Sequence, residues 1–367
     1  MESVLSAKQT TFLAQMQYNR SISNMNNAIY MTGLMKLEKR QVPMPTPSSN
    51  QVVVKIEYVG ICGSDSHYLE HGKIGDFVVQ GDFILGHECA GTVVEIGEGV
   101  TTVKIGDKVC LEPGLTCGQC QFCKTGAYNL CPHVEFLATP PYHGCLQNYM
   151  AYPENMVFKL PQNVSTKAGA LVEPFAVGIH ACLQGNVTLG SSVAILGSGA
   201  IGLVTVLACK AFGASNITVV DIAEKRLQYA KKLGATTTIN AKTADPVQEI
   251  LKENSLGVDV VIEAAGSAIT TQQSAHIVKP GGSIVLVGMA PESKIEYDFS
   301  KILAKEANIT SVFRYRNVFP RAIEAIASGI ANVEGIITHE FSFDETEKAF
   351  DAAIHQKSDV VKAVIKM

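Results

Sequence analysis

The amino-acid sequence predicts an α/β protein with two domains, one rich in β-strands and one built on a doubly wound parallel sheet. The chain has 367 residues, more than the roughly 250–300 at which one hydrophobic core usually stops growing. Short strand-like runs separated by Gly, Pro and Asp fill residues 51–150, whereas strand-like and helix-like runs alternate from residue 191 onward. The first sequence pattern is typical of an antiparallel barrel or sandwich, and the second is typical of a parallel sheet.

The first domain begins after a segment that we leave outside the fold. Residues 1–24 lack a basic stretch, an apolar stretch and a small-residue cleavage site. We therefore predict a disordered extension there and not a secretory signal. The first strand is predicted to begin at Met25. The runs QVVVKIEYVGIC, GTVVEIG and DKVCLEP follow, rich in β-branched residues and separated by turns.

The second domain follows the order strand, helix, strand, helix. SSVAILG precedes the helical AIGLVTVLACKAFG, NITVVD precedes AEKRLQYAKKLG, and the alternation continues to about residue 312. A closing helix and the strand VVKAVIKM are expected to pack back on the first domain. We predict one domain of residues 25–172 and 313–367 and a second of residues 173–312.

Charge and hydropathy exclude several classes of function. The net charge is -4 and 17% of residues are charged, so nothing indicates binding to nucleic acid. No run of about twenty uncharged apolar residues indicates a membrane span. Ten cysteines in so long a chain do not make a disulfide scaffold, and four of them cluster. This favours a reducing compartment, and we expect a soluble, cytoplasmic protein.

A glycine pattern opens the first helix of the predicted parallel sheet. Its residues are Gly197, Gly199, Ile201 and Gly202, directly after a buried strand. Such glycines bring backbone amides and the positive end of a helix dipole to a dinucleotide pyrophosphate. Asp221 ends the next strand, where a carboxylate accepts hydrogen bonds from the adenosine ribose and repels a 2′-phosphate. NAD is therefore favoured over NADP, although Arg226 follows five residues later.

Four cysteines form the stronger of two metal motifs. Thiolates without His or carboxylate make the closed tetrahedral set of structural zinc. An iron–sulfur cluster takes the same ligands and oxidation would give disulfides, but nothing else in the chain indicates electron transfer or an oxidising compartment. We predict zinc. The ligands are Cys117, Cys120, Cys123 and Cys131.

A second group of metal-binding side chains is spread over three segments. Cys62 lies in GICGSDSHY, His87 and Glu88 lie in GHECAG, and Glu173 lies in LVEPFAVG. A thiolate, an imidazole and carboxylates together suit a catalytic zinc ion that keeps one position open for water or substrate.

Taken together, these motifs resemble the zinc-containing medium-chain alcohol dehydrogenases, and among them the sorbitol (polyol, L-iditol 2-) dehydrogenases. The resemblance runs from Met25 to Met367 and includes VEFLATPPYHG, IGDFVV and FRYRNVFP. It implies a GroES-like β-rich catalytic domain joined to a Rossmann domain with a doubly wound parallel sheet. Animal sorbitol dehydrogenases depart from the four-cysteine pattern, so the chain is similar to microbial members.

The resemblance also implies a set of roles. Cys62, His87 and Glu88 bind the catalytic zinc with a water, and Glu173 holds or replaces that water. Because neighbouring side chains of a strand point in opposite directions, the alternative of Glu88 outside the ligand set and Glu173 within it stays open. Ser64 and His67 carry the proton to solvent. The residues implied to line the substrate pocket are Tyr68, Phe136, Thr139, Glu173, Arg314 and Tyr315.

The expected reaction is oxidation of a polyol secondary alcohol by hydride transfer to NAD, with one catalytic and one structural zinc per subunit. The expected partner is a small polyol such as sorbitol, xylitol or L-iditol, with no nucleic acid and no membrane. A homotetramer or homodimer is also implied. Rival readings are a 2,3-butanediol or L-threonine dehydrogenase and, from another class, an NAD-binding redox sensor without turnover.

Overall fold

The computed structural model describes residues 25–290 and 294–367. The predicted disordered extension, residues 1–24, lies outside the described residues. The larger of two main sheets has seven strands in the order β12-β8-β7-β3-β20-β19, with β11 also paired to β3. Its strands are β3 Gln51–Gly60, β7 Glu88–Ile96, β8 Lys108–Leu111, β11 Tyr149–Pro153, β12 Val157–Lys159, β19 Ile337–Ser342 and β20 Lys362–Lys366.

The smaller main sheet has six strands, and all of its pairs are parallel. The order β15-β14-β13-β16-β17-β18 is that of a doubly wound sheet, as the alternating sequence texture predicts. Most positions of these strands are buried, because helices cover both faces. The strands are β13 Ser192–Leu196, β14 Asn216–Asp221, β15 Thr237–Asn240, β16 Val258–Glu263, β17 Val278–Leu286 and β18 Asn308–Ser311.

Seven further strands complete the β-rich half of the described chain, and helices pack around the sheets. These strands are β1 Met25–Gly33, β2 Lys36–Pro43, β4 Lys73–Ile74, β5 Phe77–Val78, β6 Phe83–Ile84, β9 Gly114–Leu115 and β10 Glu135–Phe136. The α-helices are α1 Gly63–His71, α2 Gln121–Lys124, α3 Thr166–Ala170, α4 Val172–Gln184, α5 Ala200–Ala211, α6 Glu224–Leu233, α7 Pro246–Glu253, α8 Ala268–Ile277, α9 Phe299–Lys305, α10 Phe319–Ala327 and α11 Thr346–His355.

The C-terminal strand returns to the first sheet, as expected. β20 pairs antiparallel with β3 and parallel with β19. The sheet is therefore mixed, whereas the sequence predicted an antiparallel one. This return places the C-terminal strand beside the segment that carries Cys62, because Ile61 N–H donates to the Ala363 carbonyl at 3.0 Å.

Clusters of buried apolar residues support the two sheets. One cluster lies in the β-rich half and includes Val54 and Ile365. Another surrounds Ile195 and Leu203 of the parallel-sheet half and extends to Ala90 of the larger sheet, so it joins the two halves. Between residues 25 and 290 and from 294 onward, no helix is both long and apolar enough to cross a membrane.

Candidate active site and cofactor cleft

Cys62, His87 and Glu88 converge where two central strands of the larger sheet end, after the last residue of β3 and at the first residue of β7. One ligand atom of each lies within 4.8 Å of the others. His87 and Glu88 are almost wholly buried, and Cys62 is half-buried at the start of α1. Soft sulfur, imidazole nitrogen and carboxylate oxygen at this spacing fit a zinc ion with one open position. Glu173 does not belong to either set of metal-binding groups found among the described residues.

The backbone conformation next to His87 explains how the neighbouring side chains of His87 and Glu88 both reach the ligand set. Gly86 has φ +89°, a conformation that favours glycine, and β7 begins only at Glu88. His87 therefore lies before the strand and is not bound by its alternation. On the partner strand, Gly60 pairs with Glu88, and a Cβ at Gly60 would lie 2.1 Å from Glu88 Oε2. Glycine at position 60 therefore leaves room for the carboxylate, whereas Gly86 permits the turn before His87.

Asp65, which the sequence analysis did not single out, orients His87. Its Oδ1 lies 3.5 Å from His87 Nδ1 and accepts the N–H of Gly86 at 2.9 Å, while Oδ2 accepts the N–H of Cys62 at 3.0 Å. Burial raises the pKa of Asp65, but the charge of His87 and these hydrogen bonds outweigh it, so the pKa is lowered. A carboxylate behind a ligand imidazole fixes its ring and tautomer. The only sequence signal was an acid three residues after Cys62.

Lys362 is the second residue that sequence reasoning missed. Its Nζ donates to Glu88 Oε1 at 2.7 Å and to the Ile61 carbonyl at 2.9 Å, and it lies 2.6 Å from Glu88 Oε2. Both side chains are at most 2% exposed, so each charge needs the other. The available signal was a lysine between the apolar residues Val361 and Ala363 of the run VVKAVIKM, which carries a second lysine only near its end.

Glu173 lies in the first turn of α4 and faces a different partner. Its Oε1 accepts the Tyr315 hydroxyl at 2.8 Å. Burial raises the pKa of Glu173 to about 7, against the lowering effect of the His87 charge. Glu173 is therefore close to the ligand set without sharing its spacing.

Arg314 extends over the same region. Its guanidinium carbon lies 4.1 Å from the centre of the Phe136 ring, and that ring lies 5.7 Å from the His87 ring. The Arg314 Nη1 atom is buried without a hydrogen-bond partner in the structure. Tyr68 is buried, and the Thr139 N–H donates to the Phe136 carbonyl at 3.0 Å. The predicted pocket residues thus form one neighbourhood beside the ligand set.

The predicted proton carriers lie on α1. Ser64 is half-buried in the first turn, and His67 is exposed one turn later. His67 lines the cleft that reaches Cys62, whereas Ser64 is not among the residues lining it. Partial burial lowers the pKa of His67.

The glycine pattern adopts the geometry that its spacing predicts. Gly197 has φ +103°, and a Cβ there would lie 2.7 Å from the backbone nitrogen of Ala265. A Cβ on Gly202 would lie 1.9 Å from the Gly197 carbonyl oxygen, so the turn requires both glycines. Asp221 at the end of β14 accepts the N–H of Ser198 at 2.6 Å. The carboxylate is thereby fixed beside the N-terminus of α5.

A cleft of about 320 Å³ joins the glycine turn to the metal-binding group. Gly199, Ala200 and Ile201 line one side, and Cys62 and Glu88 line the other. Three cationic side chains line it: Arg226 from α6, Lys357 from the loop after α11, and Lys362, which pairs with Glu88. The sequence analysis gave Lys357 no role. The Arg226 guanidinium also donates to the Lys357 carbonyl.

The four clustered cysteines lie in residues 114–136, which we call the cysteine lobe. Sγ–Sγ distances are 3.5 Å for Cys120 and Cys123, 3.6 Å for Cys117 and Cys131, and 4.0 Å for Cys117 and Cys123. A tetrahedron with Zn–S bonds of about 2.3 Å has edges of roughly 3.8 Å, so the set fits zinc. None of the ten cysteines is in a disulfide.

Comparisons with known proteins agree with both halves of the fold. Residues 48–162 match the alcohol dehydrogenase GroES-like domain, and residues 200–328 match the zinc-binding dehydrogenase domain. The chain is 41% identical to a sorbitol dehydrogenase of Bacillus subtilis, over 93% of this chain and 97% of that protein. It is 42% identical to a probable D-xylulose reductase A of Aspergillus fumigatus, over 86% and 89%.

A solved structure gives the same result in three dimensions. An oxidoreductase of unknown specificity from Escherichia coli superposes with a TM-score of 0.90 at 43% identity, covering 93% of this chain and 99% of that one. The GroES-like and Rossmann expectations are therefore confirmed. The chain belongs to the zinc-binding alcohol dehydrogenases of the medium-chain type and is an oxidoreductase.

Proposed function

We propose that the chain oxidises a secondary hydroxyl of a polyol, of the sorbitol or xylitol kind, and passes the hydride to NAD. The observation that carries this proposal is the single cleft in which Cys62 and Glu88 face the glycine turn at Gly199. Hydride transfer requires substrate and nicotinamide to meet in such a cleft. The sorbitol dehydrogenase and xylulose reductase relatives support a polyol as the substrate.

Cys62, His87 and Glu88 would hold the catalytic zinc, and the cysteine lobe would hold the structural one. The catalytic ion supplies Lewis acidity that lowers the pKa of a substrate hydroxyl, and NAD accepts the hydride. Asp65 keeps the His87 ring in its ligand orientation. Ser64 and His67 then pass the released proton towards solvent. The lowered pKa of His67 favours the neutral imidazole, which accepts a proton.

Polyol recognition is assigned to Arg314, Tyr68, Thr139, Phe136 and Tyr315. A polyol brings several hydroxyls, and each one that is buried needs a partner. Arg314 Nη1 is a buried donor that finds no acceptor among the described residues, so a substrate hydroxyl beside the ligand set would complete its hydrogen bonding. The Phe136 ring supports the planar guanidinium from one face.

NAD is proposed over NADP on the placement of two residues. Asp221 is fixed at the end of β14, where the ribose of a dinucleotide binds. Arg226 Nη1 lies 4.0 Å from the position that a Cβ on Gly199 would take. This distance supports a contact of Arg226 with the pyrophosphate at the glycine turn in preference to a 2′-phosphate.

The remaining features of the proposal are the domain limits 25–172 with 313–367 and 173–312, and assembly into a homodimer or homotetramer in the cytoplasm. Butanediol and threonine dehydrogenases would use the same zinc chemistry with a different pocket. A redox sensor without turnover has no use for a ligand set with an open position next to the nicotinamide cleft.

The test is a steady-state assay of NADH formation with sorbitol, xylitol, 2,3-butanediol and L-threonine, before and after treatment with a chelator. Turnover of a polyol that disappears on chelation and returns with zinc is the expected result. Turnover of butanediol or threonine alone would overturn the polyol assignment and keep the family chemistry. Absence of turnover in protein that carries both zinc ions would overturn the enzymatic proposal.

A further inference from the structure

The loop between β18 and α10 holds an unfavourable backbone conformation. Arg314 has φ 58° and Asn317 has φ 56°. This left-handed conformation costs arginine about 1–2 kcal/mol, whereas asparagine adopts it more readily. Contacts from elsewhere must therefore hold the loop at Arg314. The same loop carries Arg314 and Tyr315, to which the proposed function assigns the polyol.

The cysteine lobe supplies those contacts through Asn129. Its Nδ2 donates to the Phe313 carbonyl at 2.9 Å, and its Oδ1 accepts from Arg316 Nη1 at 3.0 Å. One amide side chain therefore holds the residue before Arg314 and the residue after Tyr315. Asn129 is 5% exposed and lies two residues before the ligand Cys131.

The same lobe also fixes the far end of the loop. The Asn317 N–H donates to the Tyr128 hydroxyl at 2.8 Å, and Asn317 Nδ2 donates to the Gly126 carbonyl at 2.9 Å. Lobe residues 126–129 thus bind the loop at three of its positions. The loop is clamped on both sides of Arg314.

The guanidinium of Arg314 has few contacts of its own. It lies against the rings of Phe136 and Phe313, and Nη1 has no hydrogen-bond partner. Ring contacts leave the direction of the N–H groups weakly determined, because they are not directional in the way hydrogen bonds are. The direction of Arg314 therefore depends on its backbone, and the backbone depends on Asn129.

We propose that Asn129 is a positioning residue for substrate selectivity: it holds residues 313–316 so that Arg314 meets a polyol hydroxyl. The cysteine lobe then has a role in recognition as well as in local stability. The proposal rests on the proposed function, since it needs Arg314 to bind the substrate. It predicts that substitution of Asn129 raises the KM for polyols and leaves the kinetic constants for simple alcohols nearly unchanged.

The experiment compares Asn129→Ala, Arg314→Ala and the double variant in zinc-loaded enzyme. KM and kcat are measured for sorbitol and for 2-propanol, which has no second hydroxyl. Hydrogen–deuterium exchange of the peptide around residues 312–318 reports on the loop, and metal analysis reports on the lobe. Thr125→Ala is the matched control, because Thr125 bonds only within the lobe, to the carbonyls of Gln121 and Phe122.

In Asn129→Ala we expect the KM for sorbitol to rise about tenfold. A change of this size corresponds to the loss of roughly one good hydrogen bond to the substrate. The kcat with 2-propanol and the zinc content stay near wild type, and exchange around residues 312–318 speeds up. In the Arg314→Ala background the added effect on sorbitol disappears, because residues that act through one contact are not additive. Thr125→Ala behaves as wild type.

Two outcomes separate this inference from the proposed function. If Arg314→Ala lowers kcat/KM for sorbitol selectively while Asn129→Ala does not, the positioning role is wrong and the polyol site stands. If Arg314→Ala leaves the ratio of the two substrates unchanged, the proposed site itself is wrong. Should Asn129→Ala not fold, Asn129→Asp repeats the test, because it keeps the size and removes the donor to Phe313.

Discussion

At the scale of single residues, the metal-binding group is a set of buried charges that depend on one another. Glu88 faces Lys362, and Asp65 faces His87, all of them nearly removed from solvent. Removing one member of a buried pair typically costs 3–5 kcal/mol, because the other charge is left without a partner. Replacing a glutamate by glutamine removes the charge and keeps the size of the side chain. Such substitutions can test whether Glu88 or Glu173 is the third zinc ligand.

We expect Glu88→Gln to lose the catalytic zinc and Glu173→Gln to keep it. Glu88 shares the ligand spacing with Cys62 and His87, whereas Glu173 is engaged by Tyr315. The zinc content per chain of each purified variant is the measurement. Two zinc ions in Glu88→Gln and one in Glu173→Gln would reverse the assignment.

We expect Asp221→Ala to erode the preference for NAD over NADP. The substitution removes both the acceptor for the ribose hydroxyls and the charge that repels a 2′-phosphate. The ratio of kcat/KM for the two cofactors should fall by at least about tenfold, and an unchanged ratio would show that Asp221 does not select the cofactor. Asp245→Ala, at the N-terminus of α7, is the control for loss of an acid in the same sheet domain.

Glu112 should make stability depend on pH. Burial raises its pKa from 4.5 to about 7, against the hydrogen bond from Tyr128. A raised pKa in the folded state favours folding while the carboxyl is protonated, and this contribution is lost as pH rises through about 7. The loss is roughly 3 kcal/mol at high pH.

Glu112→Gln removes that loss, because the amide stays neutral and still accepts from Tyr128. The melting temperature of the variant relative to wild type should rise by several degrees between pH 5.5 and 8.5, as followed by circular dichroism. Glu135→Gln is the control, because Glu135 is an exposed glutamate of the cysteine lobe. If the difference in melting temperature between Glu112→Gln and wild type stays constant with pH, the predicted direction of the pH dependence is wrong.

At the scale of elements, the pairing of β3 with β7 builds the ligand set. The register aligns Gly60 with Glu88, and only a missing side chain leaves space for the carboxylate. The turn through Gly86 then brings His87 to the same side. The two neighbouring candidate ligands of the motif GHECAG, His87 and Glu88, therefore depend on two glycines that have no metal-binding side chain.

Gly60→Ala should both destabilise the protein and weaken zinc binding. The new Cβ would lie 2.1 Å from Glu88 Oε2, and overpacking of this kind typically costs 1–3 kcal/mol. Denaturant unfolding and metal analysis are the measurements. Gly33→Ala is the control, since a Cβ there meets only the Lys36 side chain at 3.7 Å; equal behaviour of the two variants would refute the spatial argument.

At the scale of the whole molecule, the two halves meet at the cleft and each contributes a cation. Arg226 belongs to the parallel-sheet half and Lys357 to the C-terminal return, and both border the glycine turn. Lys225 and Asp359 form a further ion pair at 2.8 Å across the same boundary. An anionic dinucleotide in this cleft would contact both halves.

Lys357→Ala should weaken NADH binding several-fold, by about 1 kcal/mol, and the deficit should shrink at high salt. Calorimetric titration at two ionic strengths measures this effect. Lys348→Ala is the control, because Lys348 is an exposed lysine of α11 that pairs with Glu345. If Lys348→Ala and Lys357→Ala weaken NADH binding equally, the effect comes from the net charge of the protein and not from a contact of Lys357 in the cleft.

Much of the fold and of the candidate site could be predicted from the local spacing of residues in the sequence. The strand and helix alternation, the glycine turn and the four cysteines are short-range patterns, and each is governed by neighbours within one turn or one strand. The roles of Arg314 and Tyr315 came instead from family resemblance, because nothing in FRYRN itself indicates a pocket.

Contacts between distant segments could not be read in this way. Lys362 reaches Glu88 across 274 residues of sequence, and Asn129 holds a loop 184 residues away. No pattern in one sequence reports which residues a chain reversal brings together. The sequence by itself determined the two kinds of sheet, the dinucleotide turn and the metal-binding residue types. Only the tertiary structure decided which carboxylate shares the ligand spacing and how the cysteine lobe meets the Arg314 loop, because packing and not local conformation sets those distances.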